Sequence, residues 1–300
     1  MRMAVNLASV SRLGVGTASF GLDYGIANRT GKMSKDEIFK TLAYCQKVGI
    51  SLLDTAYAYG DSESIIGEWT QKEASVFKIV SKSPSLDKFD GNNTVAFFQQ
   101  SLKRLQIKNI YGYLIHRFED LLYHREIWDV LEVLKQNHSV QKIGCSLYKP
   151  QELQNLLDEK LAIDIIQIPY SVFDRRFESF LPILKEKKIE VHVRSVFLQG
   201  LVFLDPDKDL RGNLVKAKSH IKALQESAVN MAVPIGALCL NFVLLNPYVD
   251  IAILGTNNVA QLMRNISYLN MMEQVEHRYR QLDTLSIDNE DVLLPYKWKN

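Results

Sequence analysis

Residues 140–194 read VQKIGCSLYKPQELQNLLDEKLAIDIIQIPYSVFDRRFESFLPILKEKKIEVHVR, and this stretch decides the fold. It holds three short apolar runs rich in β-branched residues, which alternate with two segments of helical apolar spacing. The runs are Val140–Cys145, Asp164–Ile168 and Glu190–Arg194, and the helical segments are Pro150–Asp158 and Phe177–Lys187. Because the runs are nearly continuous in apolar residues, they are typical of parallel strands buried on both faces. The stretch predicts two consecutive β-α-β units.

The same alternation extends over the whole chain. Five further runs of this kind are Leu13–Gly16, Ser51–Asp54, Phe77–Ser81, Ile110–Ile115 and Asp250–Leu254, and further helical segments are Ser34–Val48, Asn93–Leu105, Glu126–Gln136 and Ile235–Leu245. Ser34 and Glu37 form an S-x-x-E capping box at the start of the clearest helix, and Gly49 ends that helix. Eight strands alternating with helices, without a Pro/Gly/Ser-rich linker, predict a (β/α)8 barrel and not a doubly wound sheet. We expect residues 1–300 to form one domain.

The connection after the seventh predicted strand is longer than the others. It runs from Phe197 to about Ile235 and carries turn signals at residues 205–207 and 211–213. A connection of this length predicts a loop laid over the barrel mouth, where it would bind a ligand.

Composition places the chain among ordinary globular proteins. Hydrophobic residues make up 47% and charged residues 23%, which excludes disordered and collagen-like chains. The net charge of +2 gives no indication of a nucleic-acid partner. Cys45, Cys145 and Cys239 are scattered and form neither a metal motif nor a disulfide framework. Because no signal peptide and no bilayer-spanning apolar stretch is evident, we expect a cytoplasmic protein, without membrane contact, that is a monomer or a small homo-oligomer.

Reacting groups in a (β/α)8 barrel come from the carboxyl ends of the strands. The second predicted strand ends at Asp54 and continues towards Tyr59. The third is followed by Lys82 and the fourth by His116. A tyrosine with a pKa of about 10 is a poor proton donor at neutral pH unless a nearby charge adjusts it. Lys82 would supply that charge, Asp54 would pair with Lys82, and His116 would donate to an oxygen that gains negative charge.

These four residue types suit hydride transfer to a carbonyl, with Tyr59 protonating the forming alkoxide. Each residue also has a purely structural interpretation. Asp54 would then cap a helix and Tyr59 would be a rim aromatic. Lys82 would be a solvated strand end and His116 a satisfied polar side chain. Their occurrence at the ends of consecutive strands favours the catalytic interpretation.

The segments around these residues resemble the aldo-keto reductases. The similarity lies in LDTAYAYGDSE at 53–63, IVSK at 79–82 and YLIHR at 113–117, and it continues through IGCS at 143–146, IQIPY at 166–170, RS at 194–195, QGL at 199–201 and ILGT at 253–256 to Asn265. The resemblance implies an enzyme that reduces an aldehyde or ketone, with a sugar-like compound as one candidate. It also implies a nicotinamide dinucleotide as cofactor, no metal, and a catalytic tetrad of Asp54, Tyr59, Lys82 and His116.

The resemblance further implies a set of cofactor-binding residues. These are Gly16, Thr17, Asp54, Ser146, Gln167 and Arg194 at the nicotinamide end, Ser195, Leu198, Gln199 and Gly200 along the pyrophosphate, and Gly255, Thr256, Asn257, Gln261 and Asn265 around the adenosine. Two positions depart from the family pattern. Leu147 stands where many members have Asn, and Arg194 stands where the best-known members have a tyrosine that stacks on the nicotinamide. Phe20, Tyr24 and Tyr57 are expected near the substrate mouth.

Cationic side chains near the adenosine ribose distinguish NADPH from NADH. Many NADPH-specific members of the family carry Lys and Arg at positions that are Gly255 and Gln261 in this chain. Arg264 is the one cation in the segment that would reach a 2′-phosphate, and its structural interpretation is a solvated helix face. The sequence therefore favours NADP(H) over NAD(H) by a modest margin.

A second interpretation belongs to a different functional class. The barrel would bind its cofactor as a redox-sensing or regulatory subunit with little turnover, as channel-associated members of the family do. An intact tetrad does not exclude this role, but no interaction tail or basic patch supports it. We therefore favour the enzyme.

Overall fold

The computed structural model describes residues 7–73, 77–86 and 93–298. Eight parallel strands close into a barrel in chain order, and β1 pairs with both β2 and β8. The strands are β1 Leu13–Gly16, β2 Leu52–Asp54, β3 Lys78–Lys82, β4 Ile110–Ile115, β5 Val140–Ser146, β6 Ile165–Pro169, β7 Glu190–Arg194 and β8 Ile251–Gly255. The predicted barrel is confirmed, and each predicted strand lies within one residue of its observed bounds.

Helices follow the strands around the barrel. They are α1 Leu7–Val10, α2 Ala18–Gly21, α3 Lys35–Val48, α4 Ser62–Glu73, α5 Thr94–Leu105, α6 Phe118–Tyr123, α7 Glu126–Gln136, α8 Pro150–Asp158, α9 Leu181–Glu186, α10 Lys218–Asn230, α11 Ile235–Leu245, α12 Val259–Ser267, α13 Met272–Glu276 and α14 Glu290–Leu293. Six 3₁₀ segments in the described residues are Glu178–Phe180, Leu198–Phe203, Gly212–Ala217, Tyr268–Met271, Tyr279–Leu285 and Pro295–Lys297. Gly49 ends α3 in the left-handed conformation, as expected.

The barrel interior contains a small apolar cluster that is separate from the larger core between strands and helices. Its buried members are Leu52, Val80, Leu114 and Ile165. Side chains two residues apart on a strand face the same way, so this cluster lies directly beneath the residues that end those strands on the inner face. The apolar cluster therefore forms the floor of any site at the carboxyl ends of these strands.

The connection after β7 differs from the expected loop. It carries the turn Leu198–Phe203, the 3₁₀ segment Gly212–Ala217 and the whole of α10. Ile221, Leu224 and Ala228 are the buried residues of α10, and their helical spacing is the sequence signal that marks this helix. Helix α4, which follows the tyrosine-rich motif, was not among the predicted helices either. Only the first part of the long connection lies at the barrel mouth.

No single helix in the described part of the chain is long and apolar enough to cross a bilayer. The bent pair Gly212–Asn230 and Ile235–Leu245 meets that test only when both members are taken together across a 90° bend. Within the same described ranges, no group of three or more His, Cys, Asp or Glu side chains is arranged to hold a metal ion.

A polar cluster sits at the opposite end of the barrel from the strand ends that carry the predicted tetrad. Glu190 receives hydrogen bonds from Lys142 and from the Tyr111 hydroxyl at 2.8 Å, and its other oxygen lies 2.6 Å from His192 Nε2. Burial alone would raise the pKa of Glu190, but the contacts with His192, Lys142 and Tyr111 outweigh it and lower the pKa from 4.5 to about 2. The ionised carboxylate thus ties β4, β5 and β7 together.

We expect Glu190→Gln to destabilise the fold in a pH-dependent way. The unfolded chain takes up this proton before the folded chain does, so the stabilisation is complete above pH 4.5 and is lost as the pH falls towards 2. Urea titrations should show a loss of about 2 kcal/mol at neutral pH that shrinks near pH 3. The surface pair of Glu159 with Arg125 provides the control Glu159→Gln, which should cost under about 1 kcal/mol. A pH-independent loss for Glu190→Gln would contradict this account.

Candidate active site

A buried ion pair occupies the centre of the barrel's carboxyl-terminal end. Lys82 Nζ, at the end of β3, lies 2.8 and 2.7 Å from the two carboxylate oxygens of Asp54 at the end of β2. Lys82 also donates to the Thr55 carbonyl at 2.9 Å, and Gln167 Nε2 donates to Asp54 at 2.7 Å. Burial lowers the pKa of Lys82, and the carboxylate of Asp54 opposes that shift. The pair forms because neither charge would be stable there alone.

Tyr59 stands over this pair. The Lys82 ammonium lies 5.3 Å from the centre of the Tyr59 ring, and the His116 ring meets the same ring edge-on at 5.9 Å. The loop that carries Tyr59 is fixed below by Ser62, whose hydroxyl donates to Thr17 at 2.8 Å and lies 3.1 Å from that of Thr55. The structure therefore brings Asp54, Tyr59, Lys82 and His116 together.

Tyr59 and His116 are both neutral at neutral pH. Burial raises the pKa of Tyr59 above its ordinary value, the charge of Asp54 adds to the rise, and the charge of Arg194 opposes it. Burial lowers the pKa of His116 to about 3, and the charges of Lys82 and Arg194 add to that shift. The phenol therefore holds its proton, and the imidazole is able to donate one N–H without carrying charge.

Arg194 is a second cation close to Tyr59, and its charge opposes the rise in the pKa of Tyr59. Arg194 ends β7, donates to the Leu147 carbonyl at 2.9 Å, and its guanidinium lies 4.0 Å over the ring of Tyr148. Lys82 is held by both oxygens of Asp54. The expected adjustment of Tyr59 by Lys82 stays a prediction.

A cleft opens beside Tyr59 and runs between the loops after β1, β7 and β8. Its lining includes ten of the predicted cofactor residues: Gly16, Asp54, Arg194, Ser195, Gln199, Gly200, Gly255, Thr256, Asn257 and Gln261. The catalytic candidate Tyr59 lines the same cleft. The structure therefore joins the tyrosine and most of the predicted cofactor positions in one continuous space.

The other predicted cofactor residues do not line this cleft. Thr17 and Leu198 are fully buried, the first bonded to the Asp54 carbonyl and the second packed in the apolar core. Ser146 and Gln167 are buried on neighbouring strands, and Gln167 reaches the cleft only through its bond to Asp54. Asn265 is buried one helical turn after Gln261. Their contacts to a cofactor stay predictions, and for Leu198 only a backbone contact fits its buried side chain.

Of the three aromatic residues expected near the substrate mouth, one lines the cleft and two do not. Tyr24 lines the cleft. Phe20 is buried in the core, and Tyr57 donates to Gln100 and packs under Arg104, both on α5. Only Tyr24 of the three is placed to meet a ligand in the cleft.

Several cleft residues were not identified from the sequence. Phe197 and Phe203 pack together at 5.2 Å and both line the cleft, as does Asn28. The ring of Tyr148 lies under the Arg194 guanidinium. Tyr148 directly follows Leu147, which departs from the family pattern just after the end of β5, and this position was the sequence signal that could have identified it. Nothing in the local sequence marks Asn28.

The loops after β1 and β7 meet across the cleft. Gln199 Nε2 donates to the Tyr24 hydroxyl at 3.1 Å. Gly200 has a φ of 93°, and a Cβ there would lie 2.5 Å from the Cβ of Ala27, so only glycine permits this approach. Ser195, Leu198 and Gln199 also have positive φ, at 64°, 44° and 52°. Backbone of this kind is concentrated at ligand sites, and here it shapes one wall of the cleft.

The cleft fits a dinucleotide. Glycines at 16, 25, 200 and 255 line it and leave backbone open to a ligand, and a Cβ at Gly255 would meet no atom within 4 Å. Among the described residues, the buried Asn265 Nδ2 has no hydrogen-bond partner. An unsatisfied buried amide close to the cleft is the kind of group that a ligand satisfies.

Glu37 does not complete the expected capping box. Its backbone amide donates to Ser34 Oγ at 3.3 Å, as predicted. Its carboxylate, however, accepts the backbone amide of Val259 at 2.7 Å, at the start of α12. A negative charge is favourable at a helix N-terminus, which explains why the Glu37 carboxylate binds this amide. Glu37 is thus placed beside the end of the cleft that carries Asn257 and Gln261.

Comparisons with known proteins agree with this architecture. A model of the Aldo/keto reductase family matches residues 12–287. The chain is 26% identical over 299 residues to the uncharacterized oxidoreductase YqkF of Bacillus subtilis, with 92% of each chain covered. It is 25% identical over 301 residues to the NADH-specific methylglyoxal reductase of Escherichia coli, with 88% of this chain and 91% of that protein covered. The solved holo form of aldo-keto reductase AKR11C1 from Bacillus halodurans has the same fold, with a TM-score of 0.73, 23% identity, and 90% of this chain and 91% of that chain covered.

The buried pair generates a stability prediction. Lys82→Met leaves the Asp54 carboxylate buried with Gln167 as its remaining side-chain donor, and we expect a loss of about 3 to 5 kcal/mol in urea titrations. The double variant Lys82→Met/Asp54→Asn removes both charges and should lose clearly less than the sum of the two single variants. Lys32→Met, which breaks the exposed pair with Asp61, is the control and should cost under about 1 kcal/mol. Strictly additive losses would show that the two charges do not depend on each other.

Proposed function

The chain belongs to the aldo-keto reductase family, and from this membership we propose that it reduces the carbonyl group of an aldehyde or ketone to the alcohol with NAD(P)H. One observation carries the proposal beyond the family name. Tyr59, a protonated acid, has the centre of its ring 5.3 Å from the buried Lys82 ammonium and lines the cleft that fits a dinucleotide. A proton donor at the end of a cofactor cleft is what carbonyl reduction requires.

When bound, the nicotinamide supplies a hydride to the carbonyl carbon while Tyr59 supplies a proton to the carbonyl oxygen, which gives the alcohol and the oxidised dinucleotide. The raised pKa of Tyr59 keeps the phenol protonated until an oxygen more basic than a carbonyl forms beside it. We assign to the neutral His116, whose ring meets that of Tyr59 edge-on at 5.9 Å, a second hydrogen bond to the same oxygen. Lys82 and Asp54 hold these groups over the apolar floor formed by Leu52, Val80, Leu114 and Ile165.

We propose a small polar carbonyl compound as substrate, with a sugar-like compound as one candidate. One relative is named for methylglyoxal, a small dicarbonyl. The rim above Arg194 is aromatic and polar, since Tyr148 packs edge-on against Tyr296 at 5.3 Å and Tyr24 lies across the cleft. Such a rim offers hydroxyl groups and ring faces to a short polar molecule. We treat residues 1–300 as one barrel domain that carries this activity by itself.

Tyr59→Phe should abolish carbonyl reduction and leave cofactor affinity nearly unchanged. The hydroxyl acts on the charge that develops at the substrate oxygen and not on the bound dinucleotide. Steady-state turnover on a panel of aldehydes, ketoses and keto sugars, together with cofactor titration by protein fluorescence, measures both effects. Tyr113→Phe, at a buried tyrosine in the apolar core, is the control and should retain turnover. Turnover of Tyr59→Phe at the wild-type rate would refute the proposed acid.

The choice between NADPH and NADH depends on two opposing charges. The side chain of Arg264 is exposed on α12 and does not line the cleft, so it reaches a 2′-phosphate only from outside. The carboxylate of Glu37 sits at the start of the same helix and would repel that phosphate. We propose a preference for NADPH no larger than one charge-assisted contact, about 1.5 to 3 kcal/mol.

These two charges predict opposite shifts in cofactor preference. Arg264→Ala should lower the ratio of the NADH to the NADPH dissociation constant, and Glu37→Gln should raise it. Titration of both reduced dinucleotides by fluorescence gives the ratios directly. Asp36→Asn removes the neighbouring exposed carboxylate, which pairs with Lys40, and should leave the ratio unchanged. Shifts in the same direction for both variants would exclude this arrangement.

A further inference from the structure

Arg194 is a fixed cation inside the cleft. Three contacts hold its guanidinium: hydrogen bonds to the Leu147 carbonyl at 2.9 Å and to the Ser195 hydroxyl at 3.5 Å, and the ring of Tyr148 at 4.0 Å. It lines the cleft together with Tyr59 and Asp54. Arginine therefore supplies a cation at a fixed position in this cleft.

The charge of Arg194 is not compensated by another side chain. The ammonium of Lys82 and the carboxylate of Asp54 cancel each other, and His116 is neutral. In the described part of the chain, no carboxylate lies within 4.0 Å of the Arg194 guanidinium. Arg194 therefore adds a positive charge to the reacting centre before any ligand binds.

This charge acts on the groups around it. Burial raises the pKa of Tyr59 and lowers the pKa values of His116 and Lys82. The charge of Arg194 acts to lower all three pKa values. A group that influences three neighbours in a partly buried cleft also acts on a ligand placed among them. Charges interact much more strongly in such a site than in water.

The two redox forms of the cofactor differ by one charge in the nicotinamide ring, which is neutral when reduced and positive when oxidised. Delivery of a hydride to a carbonyl that contacts Tyr59 requires the ring to lie near Tyr59, and Arg194 lines the same space. The oxidised ring therefore meets a like charge that the reduced ring does not.

We propose that Arg194 makes the site discriminate against the oxidised dinucleotide, so that the enzyme binds the reduced form preferentially. This inference rests on the proposed function and adds to it a preference between the two redox forms of the cofactor. The same positive charge favours the negative charge that develops on the substrate oxygen, whereas it opposes the positive charge that develops on the nicotinamide ring. Preferential release of the oxidised form also clears the cleft for the next turnover.

The test compares dissociation constants of the reduced and oxidised forms of whichever dinucleotide binds more tightly, measured by fluorescence and by calorimetry. We expect the wild type to bind the reduced form at least tenfold more tightly. Arg194→Met should reduce this ratio by about tenfold. Arg194→Lys keeps the charge and loses the planar group, so it should weaken both forms and retain the ratio. Because a loss of stacking weakens the binding of both redox forms, the ratio of their dissociation constants reports the effect of the charge alone.

Lys40→Met, which removes an exposed cation paired with Asp36 on α3, is the control for net charge and should leave the ratio unchanged. Circular dichroism confirms that each variant is folded, and Arg194→Gln replaces Arg194→Met if the latter is not. Equal ratios in the wild type and in the neutral variant would overturn the inference while the proposed function stands. If neither redox form bound to the wild type, the proposed function itself would fall, and the inference with it.

Discussion

A lysine ammonium buried at the end of β3 has to be neutralised, and the site is arranged around that requirement. Both carboxylate oxygens of Asp54 accept hydrogen bonds from this ammonium, and the Thr55 carbonyl accepts a third. Gln167 donates a hydrogen bond to Asp54. These contacts join β2, β3 and β6 at one end of the barrel. The pair thus fixes the ends of these strands, and the charge of Arg194 also acts on Tyr59.

Burial explains the states of the reacting groups. Tyr59 and His116 stay neutral because burial raises the pKa of the phenol and lowers that of the imidazole, and a neutral acid is the useful form for protonating an alkoxide. The strained loop after β7 forms one wall of the cleft beside this acid. We propose that the nicotinamide end of the dinucleotide lies in this cleft next to Tyr59, and that the fixed cation Arg194 favours the reduced form.

Much of this was predictable from the sequence because the physical signals are local. Nearly continuous apolar runs marked the strands, and the ends of those strands marked Asp54, Lys82 and His116. The burial of the Leu198 side chain was not predictable from the sequence. The backbone of Leu198 has a positive φ, and a residue other than glycine gives no sequence signal of this left-handed conformation. Nor was the contact of Glu37 with Val259, because a capping-box pattern cannot show that a distant helix offers a competing amide. Helix α10 had a readable spacing at Ile221, Leu224 and Ala228, which the turn signals before it obscured.

In the proposed reaction a hydride reaches a carbonyl carbon while Tyr59 gives its proton to the oxygen. A single-turnover reaction of the enzyme with an aldehyde and a reduced dinucleotide dideuterated at C4 of the nicotinamide tests this transfer. Magnetic resonance of the product should find one deuterium on the carbinol carbon for each dinucleotide oxidised, and none when Tyr59→Phe replaces the wild type. A bound, fully reduced dinucleotide beside unchanged aldehyde in the wild type would contradict the claim.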